Sequence, residues 1–287
     1  MLAVSLLVVS CSKKEVLTTT VQPEGFAHIC VGVNDFTITE GEFPTRDGEP
    51  VIEYAGVKAI DLAFYEGTTE VYKHTQMRDD GSTYTTFGSF ECDLPIGNYT
   101  MVVIGRGYSV GDVFELNSPT SAGYTTERAR ETFCATQSVT VTSSTPLDLT
   151  ITLSRIIAKL NILSTDERSA SVTKIRTTYS AGGKSFNPTT GLATVNDGFA
   201  VTNTPSSAVT TLDVSNYTFL ATDEQTVDIT IEALDADWNV LFTKVVPNVP
   251  LRRNRITTLR GQVFTAGTSS STFQVDSDWL EGNEVPF

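Results

Sequence analysis

Apolar and polar residues alternate along most of this chain with a period of two, the pattern of half-buried strands. From Phe26 onward such runs cover Phe26–Val33, Val57–Phe64, Glu70–Met77, Thr86–Cys92, Tyr99–Arg106, Thr132–Val141 and Leu147–Leu153. A second set covers Ile156–Leu163, Val172–Tyr179, Ala193–Thr202, Tyr217–Ala221, Thr226–Ala233, Val240–Val246, Arg255–Val263 and Ser271–Trp279. Turn-forming residues separate them at Asp79-Asp80-Gly81, Pro95-Ile96-Gly97-Asn98, Gly182-Gly183, Asn187-Pro188, Asn196-Asp197-Gly198 and Asp235–Asp237. Gly41–Pro50, with Pro44, Gly48 and Pro50, reads as a long exposed loop, and the charged Glu127–Glu131 as one short helical turn. Many short strands with almost no helix predict an all-β protein built of sandwiches or barrels. The natural division falls near Thr150–Ser154 and gives domains at 26–150 and 151–287. Ile151–Leu163 is the most apolar segment and is expected to link the two as a central strand pair. Arg155 and Lys159 are four apart, which places them on the same face of one extended strand.

The pattern breaks at the N-terminus. Leu2–Val9 is an unbroken small-and-apolar run, too short to span a membrane, which takes about 20 residues as a helix. It suits the core of a secretory signal at 1–10. Val8-Val9-Ser10-Cys11 looks like a bacterial lipobox, in which the Cys11 thiol takes diacylglycerol through a thioether before cleavage. Each buried methylene contributes about 0.8 kcal/mol, so two or three acyl chains hold where one does not. Residues 11–25 are polar and Thr-rich and read as a flexible tether. The alternative is a frayed first strand with an ordinary buried cysteine. The basic residues that usually precede such a run are missing before Leu2, which leaves the true start open.

Composition narrows the function classes. The chain of 287 residues carries a net charge of −14, so a nucleic-acid partner is not expected, because phosphate binding needs a positive surface. Catalytic chemistry is thin. Its two histidines, His28 and His74, lie near no nucleophile motif, and no phosphate-cradling or zinc-protease motif occurs. His28 alternates within a strand and reads as a half-exposed strand residue. The remaining cysteines, Cys30, Cys92 and Cys134, form no C-x-x-C or Cys/His cluster, so no metal and no cofactor are expected. Two of them could pair, but three leave one over, and buried thiols are the plainer reading. Asp79-Asp80-Gly81-Ser82 and the pair Asp235, Asp237 have carboxylates for calcium but too few ligands, and read as turns. Trp238 is a possible stacking platform for a glycan. The glycosylation sequons at Asn98 and Asn216 are taken as incidental.

Three segments together resemble the fimbrillin superfamily of the Bacteroidales. Asp93-Leu94-Pro95-Ile96-Gly97-Asn98-Tyr99 resembles its L-P-x-G-x-Y strand entry. Leu153-Ser154-Arg155-Ile156-Ile157-Ala158-Lys159 resembles its L-x-R-x-x-A-K strand, and Pro250-Leu251-Arg252-Arg253-Asn254-Arg255-Ile256-Thr257 a P-x-x-R-N-x-x-T run near the C-terminus. The resemblance implies two consecutive transthyretin-like Greek-key β-sandwich domains in a non-enzymatic outer-membrane lipoprotein. It implies other fimbrial subunits as partners, with the outer membrane reached through the lipid and host or bacterial surface ligands beyond. In stalk subunits of the family an Arg-directed protease removes the first strand, and a neighbour's C-terminal strand fills the groove. Arg46 is the matching cleavage candidate, with an ordinary loop arginine as its alternative. Within 271–287, Phe273, Val275 and Trp279 lie at even intervals and form the candidate donor strand. The alternative is a final edge strand folded back on its own domain. The short tail leaves stalk, anchor and tip roles open, and a surface glycan-binding lipoprotein is the second reading.

Overall fold

The computed structural model describes residues 25–37, 49–50, 54–78, 86–265 and 274–276. Strands dominate, and the described residues contain no helix. The first half contributes β1 (Phe26–Thr37), β2 (Glu49–Pro50), β3 (Ala59–Glu66), β4 (Thr69–Met77), β5 (Ser89–Pro95), β6 (Gly97–Arg106), β7 (Phe114–Ser118), β8 (Ser121–Tyr124), β9 (Thr132–Val141) and β10 (Leu147–Arg155). The second contributes β11 (Ala158–Ser164), β12 (Lys174–Tyr179), β13 (Ser185–Asn187), β14 (Leu192–Ala193), β15 (Phe199–Asn203), β16 (Asp213–Thr218), β17 (Glu224–Leu234), β18 (Val240–Arg252), β19 (Ile256–Gly261) and β20 (Gln274–Asp276).

The first sheet runs β2-β1-β10-β9-β6-β3-β4, with β5 also on β1. It is continuous between β10 and β9 only through Ser154↔Cys134 and Arg155↔Phe133. On either side of that narrow junction, β5–β1–β10 and β9–β6–β3–β4 close over one core. Ile29, Val31, Phe90, Leu94 and Leu153 meet Ile60, Leu62, Phe64, Met101, Val103 and Phe133 there. The second half is a sandwich of two sheets, β16-β11-β19-β20 and β15-β12-β17-β18. Its core joins Leu160, Ile162 and Leu259 of one sheet to Ile175, Ile229, Ile231 and Leu251 of the other.

A fourth sheet, β14-β13-β8-β7, joins the halves, because β8 and β13 come from opposite sides of the middle of the chain. At this seam Gly123 lies opposite Ser185, and a Cβ on Gly123 would sit 2.6 Å from Ser185 Cα, so the strands approach this closely only with glycine there. Beneath it lies a third core of Tyr65, Val102, Ile104, Tyr124, Ile157, Phe186 and Phe219, drawn from both halves. This core explains β3 and β6. Their alternate residues face the first core on one side and the shared core on the other, which is why both strands are buried on both faces.

Several expectations from the pattern differ from what is observed. Glu127–Glu131 is not helical. Its side chains have tertiary partners instead: Glu127 accepts from the Thr202 amide, Arg128 donates to Thr202 O, Arg130 pairs with Asp112, and Glu131 pairs with Arg155. Ile151–Leu163 holds two strands as expected, but β10 runs on to Arg155 and β11 starts only at Ala158. Arg155 and Lys159 therefore sit on different strands of different sheets. The first-sheet pairing of β10 reaches past residue 150 to Ser154 and Arg155. Ala193–Thr202 is interrupted at Asn196-Asp197-Gly198, where Gly198 has φ +78°. Pro50, expected in an exposed loop, pairs with Asp35 in the first sheet.

Candidate functional site

β1 is the strand on which the architecture turns. Ala27, Ile29, Val31 and Val33 form its inward row, each buried. β10 runs parallel along one side, from Ile29↔Leu147 to Thr37↔Ser154. β5 runs antiparallel along the other, from Phe26↔Pro95 to Gly32↔Ser89, and β2 takes over near the end at Phe36↔Glu49. A parallel neighbour cannot be joined by a tight hairpin, so β1 enters the sheet as a separate segment, inserted between two later strands. Burying Ile29, Val31 and Val33 contributes about 1.5–3 kcal/mol each. Without β1, both β5 and β10 would present bare edges along an apolar slot, the arrangement that accepts an added strand.

The three motif segments do identifiable structural work. Tyr99 OH donates to Pro95 O at 2.8 Å, locking the turn that starts β6. A Cβ at Gly97 would lie 2.9 Å from that hydroxyl, so proline, glycine and tyrosine form one unit. The second and third segments meet in space. Arg155 Nη1 donates to Asn254 Oδ1 at 3.2 Å, and Asn254 N donates to Ile157 O at 2.9 Å. Asn254 holds φ +58°, a left-handed conformation that asparagine tolerates better than most residues. Pro250 O accepts from Thr257 Oγ1 at 2.8 Å, closing the same β18–β19 turn.

Arg155 is the centre of a buried polar cluster between the halves. Its Nη2 lies 2.7 Å from Glu131 Oε1 and donates to Tyr54 OH at 3.0 Å, while Tyr54 OH donates to Glu131 at 2.8 Å. The guanidinium also stacks 4.9 Å from the centre of the Phe133 ring. Burial, and then the Glu131 charge, push the Tyr54 hydroxyl well above the usual tyrosine range. With its charge held by Arg155, Glu131 is a fixed structural partner, not an available general base.

The other candidate residues are dispersed. Cys92 shares the core face of Ile29, opposite it in register, so Cys30 points to the other face of β1. Cys134 is in the shared core, its Sγ 3.5 Å from Pro188 O. None of these three is in a disulfide. Burial, reinforced by Asp93, pushes the Cys92 thiol up to about 12. Asp235 is spent on its own turn, accepting from the amides of Asp237 and Asn239 and from the Asn239 side chain. Trp238 is exposed, with φ +68°, and the Lys174 ammonium sits 4.7 Å from the centre of its ring. At the C-terminus, Val275 lies opposite Leu259 in the β19–β20 pairing. Cys11, Arg46, Phe273 and Trp279 lie outside the described residues, as does the Asp79–Ser82 turn.

Linear spacing concealed one grouping. His28, Cys30 and Glu91 converge on the outer face of β1 and β5, where strand pairing supplies the third member of a ligand set. The expectation of no Cys/His cluster looked along the chain and not across the ladder. His28-x-Cys30, at an even spacing within a strand, was the available signal.

Comparison with known proteins places this architecture. No curated protein matches the sequence. A candidate adhesin of Bacteroides ovatus has a TM-score of 0.53 at 10% identity, over 90% of this chain and 96% of that one. A candidate polysaccharide-binding protein of Bacteroides thetaiotaomicron has a TM-score of 0.52 at 10% identity, over 82% of this chain and 91% of that one. The fimbrial anchor protein Mfa2 of Porphyromonas gingivalis has a TM-score of 0.50 at 10% identity, over 88% of this chain and 97% of that one. The chain thus shares an all-β fold with these proteins, as its alternating strand pattern predicts. The model of a family of unknown function, DUF6562, matches residues 106–284, more than half of the sequence, and the chain belongs to that family.

Proposed function

We propose that this chain is a non-enzymatic cell-surface component of a fimbrial assembly, carried to the outer membrane by lipid on Cys11 until cleavage after Arg46 and then joined to other subunits by strand exchange. The observation that carries this reading is the seat of β1. An inserted strand with a complete apolar row lies between β5 and β10, and the sequence that follows it holds Arg46. Cleavage there would cut the covalent link between β1 and the rest of the fold. A strand from a neighbour, such as Ser271–Phe287 with Phe273, Val275 and Trp279 at even spacing, released from its pairing with β19, would then find bare edges and apolar pockets. The fold shared with a fimbrial anchor protein and a candidate adhesin supports the same reading. Glycan binding through Trp238 is disfavoured, because Lys174 already lies over its ring.

The test is limited Arg-specific proteolysis of the full chain, followed by mass spectrometry, size-exclusion chromatography and electron microscopy. Cleavage after Arg46 should release the β1 segment and yield multimers, while Arg46→Ala stays intact and monomeric. Cleaved protein that keeps its β1 segment and remains monomeric would overturn the proposal.

A further inference from the structure

The outer face of the β1–β5 pair carries chemistry that a fimbrial role does not use. His28 and Cys30 are two apart on β1 and share one face; the antiparallel register sets Asp93 opposite His28 and Glu91 opposite Cys30. A ring nitrogen of His28, the Cys30 sulfur and a Glu91 carboxylate oxygen all lie within 4.8 Å of one another. Asp93 Oδ1 lies 3.0 Å from His28 Nδ1. We propose that His28, Cys30 and Glu91 bind a divalent transition-metal ion of the zinc class, with Asp93 orienting the imidazole.

Four considerations carry this. The first is reach. In a tetrahedral zinc site, with Zn–S about 2.3 Å and Zn–N about 2.0–2.1 Å, neighbouring ligand atoms stand roughly 3.3–3.8 Å apart. A group already within 4.8 Å closes to that spacing by small side-chain rotations. The second is donor chemistry. Thiolate with imidazole and carboxylate is a borderline-soft set that selects zinc over calcium or magnesium, which prefer all-oxygen ligands. With a neutral imidazole its charge is −2, matching the ion. The third is the neighbouring carboxylate. When Nδ1–H donates to Asp93, the ring is fixed and Nε2 keeps its lone pair, the arrangement in which a carboxylate supports a metal-bound histidine. The fourth is the setting. Both strands are held by a continuous ladder from Phe26–Pro95 to Gly32–Ser89, so the backbone under the ligands is rigid. Cys30 is buried while Glu91 is exposed, so the cluster reaches from the strand surface toward solvent. Three protein ligands leave a fourth position for water.

Cobalt(II) is the probe, titrated into the full chain carrying Cys11→Ser so that the N-terminal thiol is silent. A saturable, one-to-one thiolate-to-cobalt charge-transfer band should appear, and zinc should displace it. Cys30→Ser should abolish the band, Glu91→Gln should weaken binding at least tenfold, and Asp93→Asn should weaken it roughly 10–100-fold. A melt by circular dichroism establishes that each variant is folded. Glu91 is exposed, so Glu91→Gln keeps the test decisive even where Cys30→Ser unfolds. Absence of the band overturns the proposal, as does a band that survives Cys30→Ser or unchanged affinity in Glu91→Gln.

Discussion

Replacing Arg155 by Met removes the cation from the cluster that joins the two halves and leaves Glu131 buried with only the Tyr54 hydroxyl beside it. Both charged side chains are nearly inaccessible, at 6% for Arg155 and 11% for Glu131. Breaking such a pair from one side costs about 3–5 kcal/mol, because the remaining charge loses its counter-ion without regaining water. At about 2 °C per kcal/mol for a chain this long, Arg155→Met should lower Tm by roughly 6–10 °C. The loss of the Asn254 bond and of the guanidinium over Phe133 acts in the same direction. The triple variant Tyr54→Phe, Glu131→Leu, Arg155→Met removes every polar member that faces another and should recover much of the loss. The expectation follows from desolvation, since an apolar cluster of similar volume needs no counter-ion. Calorimetry with a denaturant series measures both quantities, and the double-mutant cycle isolates the Arg155–Glu131 coupling. If Arg155→Met loses less than about 1 kcal/mol, the pair is not the electrostatic closure described here. If the triple variant is as unstable as the single one, the stranded-carboxylate explanation fails.

Two further outcomes follow from the packing. Gly123→Ala places a methyl 2.6 Å from Ser185 Cα, so it should force β8 from β13 at an overpacking cost of about 1–3 kcal/mol. Hydrogen exchange should then lose protection at the Tyr124 amide, which donates to Lys184 O, while β1 and β10 stay protected; unchanged exchange at Tyr124 would refute a tight seam. Raised pH should also unfold the protein. Burial pushes the hydroxyls of Tyr65 and Tyr217 up to about 12, and those of Tyr124 and Tyr179 higher still. A tyrosine whose folded pKa is raised contributes fully below its unfolded value near 10, and that contribution is lost as pH climbs toward about 12. Tyrosinate absorbance should therefore lag and then rise together with loss of the far-ultraviolet signal; reversible titration of all tyrosines near pH 10 in a native fold would contradict this.

Period-two alternation located most strands because those strands have one wet face. Thr132–Val141 matches β9 end to end, and Phe26–Val33 identified the inward row of β1. The method failed where its premise failed. β7, β8, β13 and β14 are two to five residues long, and three of them contain turn-formers such as Gly123, Asn117 and Asn187. The one pairing that joins them into a sheet, β8 with β13, reaches across the middle of the chain, which no local window contains. The break between β10 and β11 fell at Ile156-Ile157 and not at Ser154-Arg155, since Ile156 and Ile157 are apolar for the sake of the shared core and not of a strand face. Motif residues fared better. Pro95, Gly97 and Tyr99 act within five residues of one another, so their joint role was legible as a turn. The meeting of Arg155 with Asn254 spans 99 positions and became visible only in space.

The two proposals about β1 rest on opposite faces of the same strand, and this makes them separable. Ile29, Val31 and Val33 point into the first core and decide how firmly β1 is seated between β5 and β10. His28 and Cys30 point the other way and meet Glu91 and Asp93 across the ladder to β5, while Asp148 of β10 is the register partner of Cys30 on its other side. A bound ion would therefore clip β1 to β5. At a free-ion concentration one hundred times Kd, it would add about 2.7 kcal/mol to the state in which β1 is in place. That is comparable to one of the buried Val or Ile side chains in the slot, at about 1.5–3 kcal/mol. Emptying the slot after a cut at Arg46 would then require loss of the ion as well as of the apolar seat and the backbone ladder. Because the faces are independent, Glu91→Gln alters the metal side without disturbing the apolar row, and Val31→Ala does the reverse. A failure of strand exchange leaves the cobalt titration interpretable, and an absent metal leaves the exchange experiment intact.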